Sequence, residues 1–249
     1  MRALTLLSLI IIVSAGAVFA SAQQIPPDTV LPVMLSGSLD ARRVQPGKKI
    51  TGKIMQDVLL PDGSRIARGS IVQGAVVKAT APTATSPSYL AVTFSSIKSG
   101  QREIPISVHL RALASPAQVF EAKLPTNAID DYGTSTSDWN TVQIGGAGVY
   151  RGNGEVVQGG AIVGRTTHYG AVTAKLTAEP RSGCKSGGER EQALWLFSPW
   201  VCGTYGYSDL TIARRGDDGG VIELQSPGNI HVAGGSGWLL RTNPVNANQ

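Results

Sequence analysis

Residues 90–110 read LAVTFSSIKSGQREIPISVHL and decide the fold class. Apolar side chains occupy every second position in two runs, Leu90–Phe94 and Ile104–Leu110, with small or polar side chains between them. A period of two places the apolar side chains on one face of a β-strand. The polar residues 98–101, which include Gly100, separate the two runs. The stretch therefore predicts two short strands joined by a turn.

The same alternation continues towards the N-terminus. Residues 50–58 place Ile50, Ile54 and Val58 on one face, and residues 71–79 form a further strand pattern. Pro61-Asp62-Gly63 lies between them and is typical of a turn, because proline fixes φ and glycine accepts positive φ. Helical periodicity is nearly absent. Short alternating strands with regular turns predict an all-β fold, with a barrel- or sandwich-like module over residues 26–115.

The second half of the chain has a different composition. Residues 116–139 are polar and proline-containing, which predicts a linker. A glycine-rich β domain is expected over residues 140–242. Within it, residues 210–212 and 221–224 flank a polar, glycine-containing turn, so a hairpin is predicted there. Residues 189–197 form the best helix candidate.

The first 22 residues have the order of a secretory signal peptide. Arg2 supplies a basic start, an apolar core follows, and Ala20-Ser21-Ala22 is a small-residue cleavage site. Cleavage after Ala22 would give a mature chain that starts at Gln23. No later run is long and apolar enough to predict a transmembrane helix. The expected location is periplasmic or extracellular.

The chain has two cysteines, Cys184 and Cys202. Two cysteines in an exported chain most often pair. We therefore expect a disulfide bond between them, so that the second domain is a disulfide-pinned β domain.

The charge pattern and the polar residues argue against several classes of function. The formal net charge of +5 is spread thinly rather than concentrated, so no nucleic-acid partner is predicted. The three histidines, His109, His168 and His231, have no metal-ligand spacing, and His109 and His231 fall on the polar phase of their strands. No G-x-S-x-G motif is present. The sequence predicts no catalytic residues, no metal site and no cofactor.

Residues 195–207 hold the main concentration of aromatic side chains. Trp200, Tyr205 and Tyr207 are the candidate binding residues, because exposed aromatic rings on a loop can stack on sugar rings or anchor in a partner. The alternative is a small aromatic core packed against the disulfide. The sequence leaves both interpretations open.

An ordered set of motifs in the first module resembles a known family. Val44-Gln45-Pro46-Gly47 precedes Ile50-Thr51-Gly52-Lys53-Ile54, and the pattern G-S-x-V-x-G follows at Gly69–Gly74. Over residues 29–113 the chain resembles the C-terminal β-barrel domain of TrbI-type proteins, which line the core channel of type IV secretion and conjugation systems. The resemblance implies a barrel fold and an envelope location. The second half resembles exported bacterial proteins of unassigned function.

Together these features predict a non-enzymatic, exported cell-envelope protein that acts as a structural or assembly component. Its partner would be an envelope protein assembly. The alternative is a glycan- or cell-wall-binding module that uses the aromatic loop Trp195–Tyr207. An envelope hydrolase is the third possibility.

Overall fold

The computed structural model describes residues 24–123, 139–151, 153–158, 160–166, 172–176, 190–194, 196–217 and 219–244. Within these ranges the chain is all-β, as the alternation predicts, and a single short helix is present. None of the described residues belongs to a helix with the length and apolar character needed to cross a bilayer.

The strands and the helix are numbered in chain order. The first half contains β1 (Val30–Leu35), β2 (Leu39–Asp40), β3 (Lys49–Ile54), β4 (Val58–Leu59), β5 (Arg65–Ile66), β6 (Ile71–Thr80), β7 (Ser88–Ser99), β8 (Arg102–Pro105) and β9 (Val108–Ala114), followed by α1 (Pro116–Glu121). The second half begins with β10 (Trp139–Thr141), β11 (Gly148–Tyr150), β12 (Glu155–Gln158), β13 (Ala161–Thr166), β14 (Val172–Ala174) and β15 (Gln192–Ala193). It ends with β16 (Gly203–Tyr205), β17 (Thr211–Arg214), β18 (Val221–Ser226), β19 (His231–Val232) and β20 (Gly237–Thr242).

The main sheet has ten strands and is almost closed into a barrel. Its order is β16-β9-β20-β1-β3-β6-β7-β18-β17, and β8 pairs with β7 beside this path. All of its pairs are antiparallel except β16 with β9, which is parallel. The predicted hairpin in the second half is confirmed as β17–β18.

Strand β20 lies between β1 and β9 and is buried along its whole length. Its Trp238 pairs in register with Val33 of β1 and with Leu113 of β9. The Trp238 ring meets the edge of Phe94 at a centroid distance of 5.6 Å. The last strand of the chain therefore closes the gap between the first strand and β9, and its indole fills the barrel centre.

The barrel closes at β9 through backbone and side-chain hydrogen bonds. The amide of Leu110 donates to Arg215 O at 2.7 Å, just beyond the end of β17. The Arg215 side chain also spans this junction between β9 and Arg215, which we call the seam. Its Nη1 donates to Leu110 O (3.1 Å) and to Arg111 O (2.9 Å). These bonds satisfy backbone groups that would otherwise be exposed at two sheet edges.

The last glycine of the Gly69–Gly74 pattern allows β6 and β7 to approach closely. The register of β6 against β7 shifts between Gln73 and Gly74, which marks a bulge. A Cβ atom on Gly74 would lie 2.0 Å from Thr93 O, so no larger side chain fits without moving the strands. This explains physically why glycine occupies that position.

Two apolar cores lie on the two faces of β1, β9 and β20. The inner core fills the barrel and includes Trp238 and Leu240 of β20. The outer core contains Leu239 of the same strand and packs it against Phe197 and Val201. Burial on both faces explains the adjacent apolar residues in these strands, such as Val30-Leu31 in β1, Ala112-Leu113 in β9 and Leu239-Leu240 in β20.

A second sheet, in the order β10-β11-β12-β13-β14-β15, is a six-stranded antiparallel meander. It is tied to the barrel through Gln192, whose Nε2 donates to Asp28 O (2.5 Å) and whose Oε1 accepts from the amide of Val30 (2.5 Å). These bonds join β15, at the edge of the second sheet, to the residues at the start of β1. The predicted helix over residues 189–197 is wrong, because Gln192 and Ala193 form a strand.

The boundaries of the two predicted modules need correction. Strands between residues 203 and 242 complete the sheet that residues 30–114 begin, so residues 26–115 and 140–242 do not form separate sheets. The part of the chain with its own sheet runs from Trp139 to Ala193. The predicted linker 116–139 begins with α1. Ser115 caps this helix, and its Val119 packs against the outer core. Residues 124–138 lie outside the described ranges.

Replacement of Trp238 tests whether the indole stabilises the whole barrel. Trp238→Ala should lower the free energy of unfolding by about 3–5 kcal/mol, because it removes a fully buried aromatic side chain. Urea unfolding followed by circular dichroism gives the value. Trp200→Ala is the matched control, since Trp200 is only half-buried, and it should cost less. A loss below about 1 kcal/mol for Trp238→Ala would contradict this role.

A truncated chain of residues 24–123 should not fold cooperatively. It lacks β20 between β1 and β9, and it lacks β18 beside β7. It also loses seven buried inner-core side chains: Leu210, Ile222, Leu224, Ile230, Val232, Trp238 and Leu240. Thermal unfolding monitored by circular dichroism should show no sharp transition, whereas the mature chain should show one. A cooperative β-type transition in the fragment would mean that residues 24–123 form an independent domain.

Candidate functional site

The aromatic segment predicted for binding lies along the outside of the barrel. Phe197 and Val201 are fully buried in the outer core. Trp195 lies outside the described residues. Trp200 is half-buried, its amide donates to Ser198 Oγ at 3.0 Å, and its indole Nε1 is buried without an acceptor among the described residues. Phe197 and Val201 therefore anchor this segment in the outer core, and Trp200 keeps a partly exposed indole.

Tyr205 and Tyr207 use their hydroxyl groups inside the protein. Tyr205 Oη donates to Cys202 O at 3.1 Å and accepts from the Cys202 amide at 3.0 Å. Tyr207 Oη donates to Ser236 Oγ at 2.7 Å, because the Ser236 hydroxyl itself donates to Ala233 O. Burial raises the pKa of Tyr207. Both hydroxyls are committed to structural bonds.

The two tyrosine rings pack against different cores. Tyr205 contacts the outer core, whereas Tyr207 contacts the inner core. Gly206 between them has a φ of +71°, and a Cβ atom there would lie 2.2 Å from Ser115 Oγ. The chain therefore turns sharply at Gly206. Trp200, Tyr205 and Tyr207 do not form one common stacking surface.

The predicted disulfide bond involves a residue outside the described ranges. Cys202 is 1% exposed and lies next to the bonds that Tyr205 makes with its backbone. Cys184 is outside the described residues. The bond between them stays a prediction.

A cleft of about 220 Å³ opens at one end of the barrel, and we call it the rim cleft. It lies between residues 206–210, which precede β17, and Ser226 with residues 229–231, which follow β18. Tyr207 is half-buried and gives it an aromatic wall, whereas the lining residues Leu210 and Ile230 are buried in the inner core. Of the predicted binding residues, Tyr207 lines this cleft.

The polar side of the rim cleft is organised by Asp40 of β2, which pairs in register with His231 of β19. Asp40 Oδ1 accepts from Asn229 Nδ2 (2.9 Å) and from the amide of Arg42 (3.0 Å). The hydrogen bonds from Asn229 and Arg42 lower the pKa of Asp40, so it is a carboxylate at neutral pH. A carboxylate accepts but cannot donate, which fixes the Asn229 amide with Nδ2 towards Asp40.

The remaining polar side chains of the rim cleft are accessible. Asp209 and His231 are both exposed, and Asp209 Oδ2 accepts from Ser208 Oγ at 3.1 Å. Asn229 Oδ1 is buried in the cleft wall and has no donor among the described residues. No lysine or arginine lines the cleft. The cleft thus offers the exposed Asp209 carboxylate as an acceptor beside the Tyr207 ring.

The opposite end of the barrel is closed by a polar cluster around His109. Asn243 Nδ2 donates to Ser107 Oγ (3.0 Å) and to Gly216 O (2.8 Å). Its Oδ1 therefore accepts from His109 Nδ1 at 2.7 Å. The expectation that His109 is exposed is wrong, because Asn243 and the seam partly bury it. Burial lowers the pKa of His109, and the bond to Asn243 only partly offsets this effect.

The two described histidines, His109 and His231, do not belong to a metal-binding cluster. No group of three or more His, Cys, Asp or Glu side chains in the part of the chain that the structure describes has metal-site geometry. His231 is exposed, as the strand phase predicts, and lies far along the chain from His109. His168 lies outside the described residues.

No protein-family model matches this chain, and no curated protein is similar enough to be counted as a relative. The resemblance to TrbI-type barrels therefore stays a prediction.

Sequence reasoning did not identify Asp209, Asn229 and His231 as neighbours of Tyr207. Asp209 and Asn229 stand in loops with serine, glycine and proline nearby, where polar residues are usually solvated. The only available signal was that both loops flank the predicted hairpin. Two loops at the same end of a hairpin must lie close together, and this could have placed them at one rim.

Stability should fall as the pH is lowered through the titration range of His109. The unfolded chain binds a proton on this residue near the usual pKa of 6.5, and the folded chain binds it only at lower pH. Between these values the unfolded state holds more protons, so the free energy of unfolding decreases as the pH falls.

Urea unfolding at pH 7.5, 6.5 and 5.5 measures this effect. His109→Gln, which keeps a polar side chain but cannot titrate, should show a smaller decrease over the same range. His231→Gln is the control at an exposed histidine and should behave like the unaltered protein. An identical decrease in the His109→Gln variant would assign the pH dependence to other groups.

Proposed function

We propose that this chain is a non-enzymatic, exported component of the cell envelope, in which a solid β-barrel is the scaffold and its outer surface and rim contact an envelope assembly. The observation that carries the proposal is the packing of the barrel. Its interior is filled by one apolar cluster that runs from Ile25 to Leu240. Recognition by such a barrel uses surfaces and loops instead of an internal cavity.

The leader and the resemblance support the envelope location. The order of charge, apolar core and small residues in residues 1–22 is that of an exported chain. The resemblance of residues 29–113 to TrbI-type barrels suggests a role beside or within a secretion assembly. Rigid packing on both faces of β1, β9 and β20 suits a part that holds its shape within a larger structure.

The proposed disulfide bond fits the same location. Cys202 is anchored beside the barrel by the bonds between its backbone and Tyr205. A bond to Cys184 in an oxidising compartment would tether the segment before β15 to this fixed point.

Crosslinking in cells tests the assembly role. Several large apolar side chains are exposed on different elements, among them Leu59 on β4, Phe120 on α1 and Ile162 on β13. A photoreactive amino acid is placed at each position, one at a time, in the full chain with its leader. We expect specific high-mass adducts from at least one position, because a contact face would bury one of these side chains.

Asp62 provides the control position, since it lies in an exposed turn bonded to its own neighbour Ser64. It should give no adduct, or only a weak one. A chain that migrates as a monomer on native gels and gives no adduct from any position would contradict the assembly role.

A further inference from the structure

We propose that the rim cleft binds a single sugar residue of a neutral glycan. The proposal goes beyond the assembly role and can hold or fail independently of it. It moves the predicted glycan contact from the aromatic segment 195–207 to a site that only Tyr207 shares.

The size of the cleft limits the ligand. Its volume of about 220 Å³ is below the range of about 300–1,000 Å³ that is usual for pockets of drug-sized ligands. The cleft is also open to solvent on one side, because Ser208, Asp209 and His231 are exposed. It therefore suits one small unit at the end or side of a longer molecule.

The charges of the cleft exclude an anionic ligand. Asp209 is a lining carboxylate, and Asp40 lies directly behind Asn229. No lysine or arginine lines the cleft, so a phosphate or carboxylate would meet repulsion from Asp209, and the nearby Arg43 guanidinium is already paired with Asp40. The cleft requires a ligand that donates hydrogen bonds.

Asn229 belongs to the cleft wall but presents no accessible acceptor to a ligand. The Asp40 carboxylate holds the Asn229 amide in one orientation, so Oδ1 is the free acceptor. That oxygen is buried and has no donor among the described residues. The acceptor that a ligand can reach is therefore the exposed Asp209 carboxylate.

The aromatic wall distinguishes a sugar from a small cation. The half-buried Tyr207 ring is the apolar surface that the cleft presents, because the side chains of Leu210 and Ile230 are buried in the inner core. A pyranose has hydroxyl groups at its edge and an apolar C–H face, so it matches both the aromatic wall and the Asp209 carboxylate. A polyamine would gain little, because Asp209 is exposed and its attraction for a cation is screened by solvent.

Titration of the purified mature protein with chitobiose and with maltose, followed by ¹H–¹⁵N NMR, tests the proposal. We expect saturable shifts confined to residues 206–210 and 229–231 for at least one of the two neutral disaccharides. Asp209→Ala should weaken this binding tenfold or more, and His231→Ala should weaken it less. The spectra also show whether each variant is folded.

Asp62→Ala is the matched control, because Asp62 is an exposed carboxylate bonded to a nearby serine hydroxyl, as Asp209 is. It changes the net charge equally and should leave the sugar affinity unchanged. Equal weakening by both variants would overturn the site, as would spermidine binding without saccharide binding. Absence of any saturable shift with both disaccharides would also overturn it. Crosslinking in cells reports separately on the assembly role.

Discussion

The insertion of β20 between β1 and β9 is the constraint on which the rest of the structure depends. One short strand, Gly237–Thr242, supplies hydrogen bonds to both neighbours and side chains to both cores. Trp238 reaches across the barrel to Phe94, which belongs to a strand far away in the sequence. Without this strand, β1 and β9 would each expose an edge, and the inner and outer cores would both lose the side chains that β20 contributes.

The outer core follows from this arrangement. The outward faces of β1, β9 and β20 carry Val30, Ala112 and Leu239, which need cover from water. The segment around Phe197 and Val201 provides that cover, together with Val119 of α1. Aromatic residues that resemble a binding loop in sequence are therefore used mainly as packing. This leaves the ends of the barrel and its remaining surface for contact with other molecules.

The two ends of the barrel differ in character. At one end, Asn243 bonds to Ser107, His109 and Gly216 at once and closes the seam. At the other end, Asp209, Asn229 and His231 remain around an open cleft. The first cluster satisfies its own hydrogen bonds, which is typical of a structural role. The second leaves Asp209 and His231 exposed, and the Asp209 carboxylate is an acceptor that a ligand can reach.

The sequence by itself determined the local elements. Period-two alternation predicted the strands near residues 50, 71, 90 and 104, and a polar turn between apolar runs predicted the β17–β18 hairpin, because both signals act between near neighbours in the chain. Tertiary structure alone decided that Trp238 closes the barrel and that Gln192 lies in a strand bonded to Val30. It also decided that Tyr207 shares a cleft with Asn229. These contacts join residues far apart in sequence. Which strands pair there depends on which edges and faces remain unsatisfied, and local periodicity does not encode this.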